Sequence, residues 1–80
     1  MSAVHAYVLV QTEVGRSAAV AHAIAEIPGV SSAEDVTGPY DVIVRVGAKN
    51  MDQLGRDVIA PLQHIPGITR TLTCPVVKLS

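Results

Sequence analysis

The chain has 80 residues, 49% of them hydrophobic and 16% charged, and six Lys and Arg against seven Asp and Glu give a formal net charge of −1. One cysteine, Cys74, excludes an internal disulfide, and the absence of any Lys/Arg cluster, of Phe and of Trp argues against direct nucleic-acid binding by phosphate contacts or base stacking. No apolar run approaches the roughly 20 residues of a membrane span, and the first residues lack the basic and apolar pattern of a signal peptide, so a cytoplasmic protein is expected.

Val4 to Thr12 reads as a strand in which Ala6, Val8 and Val10 alternate with Tyr7 and Leu9, so both faces are apolar. From about Gly15 to Ile27 the pattern is helical: Val20, Ile24 and Ile27 recur at i, i+4, i+7, padded by Ala19 and Ala23. Val30 to Val36 is a more polar strand suited to a sheet edge. Gly38-Pro39 then turns the chain into a third strand, Tyr40 to Val46, with Val42, Val44 and Val46 on one side and Asp41, Ile43 and Arg45 on the other.

Asn50 and Gln53 resemble a capping box opening a second helix, whose stripe is Met51, Leu54, Val58, Leu62 and Ile65 and which Pro61 is expected to kink. Thr69, Thr71 and Thr73, then Val76, Val77 and Leu79, form a last strand that Pro75 bends or restricts to pairing on one side. Ile27-Pro28-Gly29-Val30 recurs as Ile65-Pro66-Gly67-Ile68, so the chain is two similar halves.

Two β-α-β halves joined by a central hairpin predict one domain over residues 1–80, of ferredoxin-like β-α-β-β-α-β topology: a four-stranded antiparallel sheet with both helices on one face. The other face, carrying Tyr7, Leu9 and Ile43, is left bare. A core this small supplies at most roughly 3–5 kcal/mol, and neither a disulfide nor a metal adds to it. Pairing of two copies sheet against sheet is the remaining source of stability, so a two-fold dimer is expected.

Thr37-Gly38-Pro39-Tyr40-Asp41 followed by Val42 to Val46 is similar to the T-G-x-Y-D segment of the Lrp/AsnC effector-binding domain. The two Pro-Gly segments and Thr71-Leu72-Thr73 stand in the same order and approximate spacing as in that domain, so the resemblance runs from about Ala3 to Leu79. It implies a stand-alone effector module without the family's helix-turn-helix. It further implies dimers that assemble into rings, with small effectors, typically amino acids, held between dimers and a role in regulating transcription or metabolism through a partner. A full-length regulator sharing the domain would be one such partner. By the same resemblance the effector site comprises Thr37, Gly38, Pro39, Tyr40 and Asp41 with Thr71 and Thr73. In that reading Gly38 admits close backbone approach to a carboxylate, and Asp41 is the nearest acceptor for an ammonium.

Ordinary explanations stand beside these. Gly-Pro makes a turn, Tyr starts a strand, Asp caps a loop, and threonines on one strand face often meet solvent. His5, His22 and His64 lack metal-ligand spacing, and His64 suits a helix C-terminus. Cys74 reads as a small core residue, and Asp52, Arg56 and Asp57 as a solvated helix face. No catalytic constellation stands out, so a non-enzymatic protein without cofactor or metal is expected. Two other readings share the topology: a dimeric α+β-barrel monooxygenase, whose pocket would need His5, Tyr7 and Tyr40, and an ACT-like amino-acid-binding domain.

Overall fold

The computed structural model of the chain describes residues 3–77. The elements follow as β1 (Val4–Thr12), α1 (Ser17–Ala25), β2 (Val30–Asp35), β3 (Val42–Ala48), α2 and β4 (Ile68–Pro75). Helix α2 runs through three consecutive stretches, α-helical over Met51–Gln53, π-helical over Leu54–Ile59 and α-helical over Ala60–Gln63. All strand pairs are antiparallel, in the order β2-β3-β1-β4. This is the ferredoxin-like α+β arrangement that the sequence predicts. Leu79, assigned above to the last strand, lies outside the described residues.

Strand alternation builds the core. Ala6, Val8 and Val10 of β1 stand opposite Val46, Val44 and Val42 of β3, and all six side chains are fully buried under the helices. Burial of each valine stabilises the fold by about 1.5–3 kcal/mol relative to exposure. Helix α1 contributes Val20, Ala21 and Ile24, and α2 contributes Leu54, Val58 and Leu62. The padding differs from expectation: Ala19 is exposed and Ala21 is buried. At 100° per residue Ala19 lies about 140° from Ile24 around the helix axis, which turns it away from the sheet.

The predicted capping box forms, with a shift of one residue in its return bond. The Gln53 N–H donates to the Asn50 side-chain oxygen at 2.8 Å, while the Lys49 N–H donates to Gln53 Oε1 at 2.8 Å. The disturbance expected from Pro61 takes the form of a π-helical turn just before it, not a simple kink. The Ala60 N–H there reaches back to the Gly55 carbonyl. Leu54, Val58 and Leu62 are spaced by four, and four α-helical residues overshoot one turn by about 40°. A wider π-turn cancels that drift and keeps all three side chains on the sheet. Met51 falls outside this line and is half exposed.

The repeated Pro-Gly turns tie each half of the chain to the other. The Gly29 carbonyl, after α1, accepts from the Gly47 N–H of β3 at 2.8 Å, and the Gly67 carbonyl, after α2, accepts from the Glu13 N–H at 2.8 Å. Gly29 has φ +101°, and a Cβ there would lie 2.6 Å from a Val58 methyl and 3.1 Å from the Gly47 carbonyl oxygen. Only glycine combines that backbone conformation with that closeness.

Candidate functional site

The segment Val36–Asp41 leaves edge strand β2 and returns as β3 beside the end of β1. Three hydrogen bonds hold it there: Asp41 N–H to the Val10 carbonyl at 2.8 Å, Thr12 N–H to Asp41 Oδ2 at 2.8 Å, and Gln11 Nε2 to the Pro39 carbonyl at 2.9 Å. The Val36 N–H closes the loop onto the Asp41 carbonyl at 2.9 Å. The Thr12 N–H lies past the last β1–β3 pair, Val10 with Val42, and the Asp41 carboxylate takes it in place of a further ladder rung. Asp41 thus has one carboxylate oxygen occupied within the fold and a second as a further acceptor. Gly38, at φ +138°, has nothing within 4 Å of where a Cβ would lie, so its backbone is open to close approach.

Thr71 and Thr73 pair with Val10 and Val8, which places both on the helix side of edge strand β4. They are half-buried there, and Thr71 Oγ1 accepts from Gln63 Nε2 at 3.2 Å, so their solvent-side reading is corrected. Thr71 lies in the row Val42–Val10–Thr71, two strand spacings or roughly 10 Å from the loop's return into β3. Loop and Thr71 therefore occupy the same end of the sheet, and Thr73 lies about 7 Å further along β4. A surface pocket of about 400 Å³ lies elsewhere, between Pro28-Gly29, Gly47-Ala48 and α2, and none of the seven predicted site residues lines it.

The helix-free face of the sheet gathers Tyr7, Leu9, Ile43 and Leu72 in adjacent positions, since Leu9 pairs with both Ile43 and Leu72. Tyr7, Ile43 and Leu72 are 40%, 37% and 44% exposed, high values for large apolar side chains on a central patch. Arg45 lies beside them with its Nη1 donating to the Tyr7 hydroxyl at 2.6 Å and its guanidinium carbon 5.2 Å from the ring centroid, a cation–π contact. Cys74 is on this face, opposite Tyr7, and exposed, not in the core. Periodicity misplaces it because Val76 and Val77, which make its surroundings look apolar, are themselves exposed.

Remaining ionisable groups have plain roles. His64 Nδ1 donates to the Ala60 carbonyl at 2.7 Å, satisfying one helix-end acceptor. Arg56 and Asp57 form an exposed ion pair with a shortest contact of 2.9 Å; the hydrogen bond from Arg56 holds the Asp57 carboxyl below its usual range. Its small stabilisation is present above the ordinary carboxylate pKa and is lost as pH falls through the lowered one. Among the described residues no three His, Cys, Asp or Glu side chains come together as metal ligands, and no helix is long and apolar enough to cross a membrane.

Residues 5–79 match the Lrp/AsnC ligand binding domain. The chain belongs to that family. Among its relatives, the HTH-type transcriptional regulator FL11 of Pyrococcus horikoshii is 32% identical over 73 residues, 91% of this chain and 48% of that regulator. Other HTH-type regulators of Pyrococcus match over 36% of their length, so the chain spans half or less of these regulators. Part of a homocitrate synthase of Sulfurisphaera tokodaii is 35% identical over 60 residues, 75% of this chain and 13% of that enzyme. Among solved structures, a protein of Thermus thermophilus superposes with a TM-score of 0.87 at 32% identity, covering 96% of each chain. A transcriptional regulator of Neisseria meningitidis, solved in complex with L-Met, shares the fold at 20% identity with a TM-score of 0.78 over 95% of this chain and 51% of that one.

Gln11 and Thr12, which anchor the loop, have no counterpart in the sequence reading. The available signal was weak: Gln11 is the one uncharged amide side chain in a strand otherwise dominated by apolar residues.

Proposed function

We propose that this Lrp/AsnC ligand binding domain is a regulatory module: copies pair through the helix-free sheet face, and a small molecule of the amino-acid class settles where the Thr37–Asp41 loop and β4 of one dimer meet another dimer. The observation that carries the proposal is the family match over nearly the whole described chain. The loop geometry supports it. Gly38 leaves backbone accessible at the tip, Asp41 retains an acceptor oxygen, and three hydrogen bonds fix the loop against β1. The same sequence pattern joined to DNA-binding regulators and to a biosynthetic enzyme supports a sensor that acts through whatever it is attached to or assembled with. A full-length regulator carrying the domain is the partner of choice, and native mass spectrometry of mixed subunits tests for that heteromer.

The monooxygenase reading gains no support from the geometry. His5 and Tyr7 lie on the sheet face, Tyr40 lies in the loop, and none of the three lines the pocket between α2 and the Gly29 turn.

A ligand shared by two dimers binds the assembled state preferentially and stabilises it by about RT ln(1 + [L]/Kd), roughly 2.7 kcal/mol at one hundred times Kd. A thermal-shift screen of the amino acids, beginning with L-methionine, therefore gives a rise in melting temperature with at least one of them. Gly38→Ala and Asp41→Asn, folded to the same extent by circular dichroism, lose that rise. No response to any amino acid at millimolar concentration contradicts the amino-acid assignment.

A further inference from the structure

We infer that Gln11 is a positioning residue that links the Thr37–Asp41 loop to the pairing of two copies; the inference rests on the proposal that the helix-free face is the dimer surface. Alternation along β1 sends Ala6, Val8 and Val10 to the helices and His5, Tyr7, Leu9 and Gln11 to the other face. Gln11 therefore sits on the same face as the apolar patch, next to Leu9's row, yet its Nε2 reaches out of that face to the Pro39 carbonyl at the loop tip. It is the one side-chain hydrogen bond between that face and the loop among the described residues.

The backbone is irregular at the same place. β1 and β4 change register between Gln11, which faces Arg70, and Thr12, which faces Ile68, so β4 carries an extra residue there. Such a bulge increases the local twist and re-aims the side chains beside it. At the bulge, Thr12 gives its N–H to Asp41 and Gln11 gives its side-chain amide to Pro39. Two neighbouring residues thus hold the tip of the loop and its return into β3, one through the sheet face and one through the backbone.

A second copy packed on the patch excludes water from around Gln11. Its amide then has fewer alternative partners, and its bond to Pro39 strengthens as the dielectric falls. Pairing therefore steadies the loop, and by linkage anything that holds the loop in this conformation favours pairing to the same extent. The loop residues need not touch the second copy for this to operate.

Hydrogen exchange on the whole chain tests it without any ligand. The reporters are the amides of Thr12, Val36 and Asp41, all of which depend on loop closure, followed at protein concentrations from dimer to monomer set by sedimentation equilibrium. In the wild type their exchange speeds up on dilution. In Gln11→Glu, which keeps the side-chain length and removes the donor, exchange no longer depends on dilution, and at concentrations where the wild type is dimeric it is about fivefold faster than in the wild type, the opening expected from losing one hydrogen bond. Gln11→Lys, which restores a donor of sufficient reach, recovers both protection and concentration dependence, whereas a purely packing role predicts no such recovery. A wild-type dimer whose loop amides ignore dilution, or a Gln11→Glu protein with wild-type exchange, overturns the inference alone. A folded monomer at all concentrations overturns it together with the dimer surface, and an absent amino-acid response in the thermal screen leaves it intact.

Discussion

Asp41 illustrates how one residue serves a fold and a site together. The T-G-x-Y-D resemblance marks it as an acceptor for a ligand ammonium, and the alternative is a loop cap; its carboxylate does cap the loop, by taking the Thr12 N–H, while one oxygen remains for the proposed ligand. What the sequence could not reveal is that the missing ladder rung at Thr12 creates the need for a carboxylate there, because strand ends are set by pairing and not by local pattern. Glycine was more legible: both Pro-Gly repeats end a helix and adopt positive φ. Gly29 and Gly15 offer a contrast, since both are left-handed but only Gly29 has neighbours where a Cβ would go. Gly15→Ala is expected to cost about 1 kcal/mol through backbone strain. Gly29→Ala adds overpacking against Val58 for about 2–4 kcal/mol in total. Urea denaturation at fixed protein concentration separates the two; equal losses would contradict the close-packing account.

At the level of elements, period-two and helical patterns were enough to find all four strands and both helices, although the third strand starts at Val42 and not at Tyr40, and the polar composition of Val30 to Val36 correctly put β2 at an edge. The second edge, β4, was foreshadowed by Pro75, which pairs with Ala6 on one side only. The π-turn in α2 was not legible, although its causes are in the sequence: a stripe at intervals of four and a proline at position 61. Neither feature alone demands it, and a kinked α-helix satisfies the same pattern. The capping of α2 was legible and bears a direct test. Asn50→Ala removes the acceptor for the Gln53 N–H and is expected to destabilise the domain by about 1 kcal/mol, read as a lower urea midpoint with an unchanged slope. A wild-type midpoint would show that the reciprocal bond from Lys49 to Gln53 suffices by itself.

The described residues form one layer of helices on one side of a sheet, and a single copy leaves Tyr7, Leu9, Ile43 and Leu72 facing water. Arg45 sits at the patch with its charge held over the Tyr7 ring, which lets a cation share a largely apolar surface. The side chains on this face were foreseeable from alternation along β1 and β3. The addition of Leu72 and Cys74 was not, because it required the register of β4 against β1. In the proposed function, an effector site between dimers depends on this first pairing step. Sedimentation velocity over a wide concentration range, comparing the wild type with Ile43→Asp, tests it most directly. The wild type is expected to sediment as a dimer or larger species, and Ile43→Asp, with an intact helix-side core and native circular dichroism, as a monomer. A wild-type protein that stays folded and monomeric throughout, or an Ile43→Asp protein that assembles like the wild type, would contradict the account.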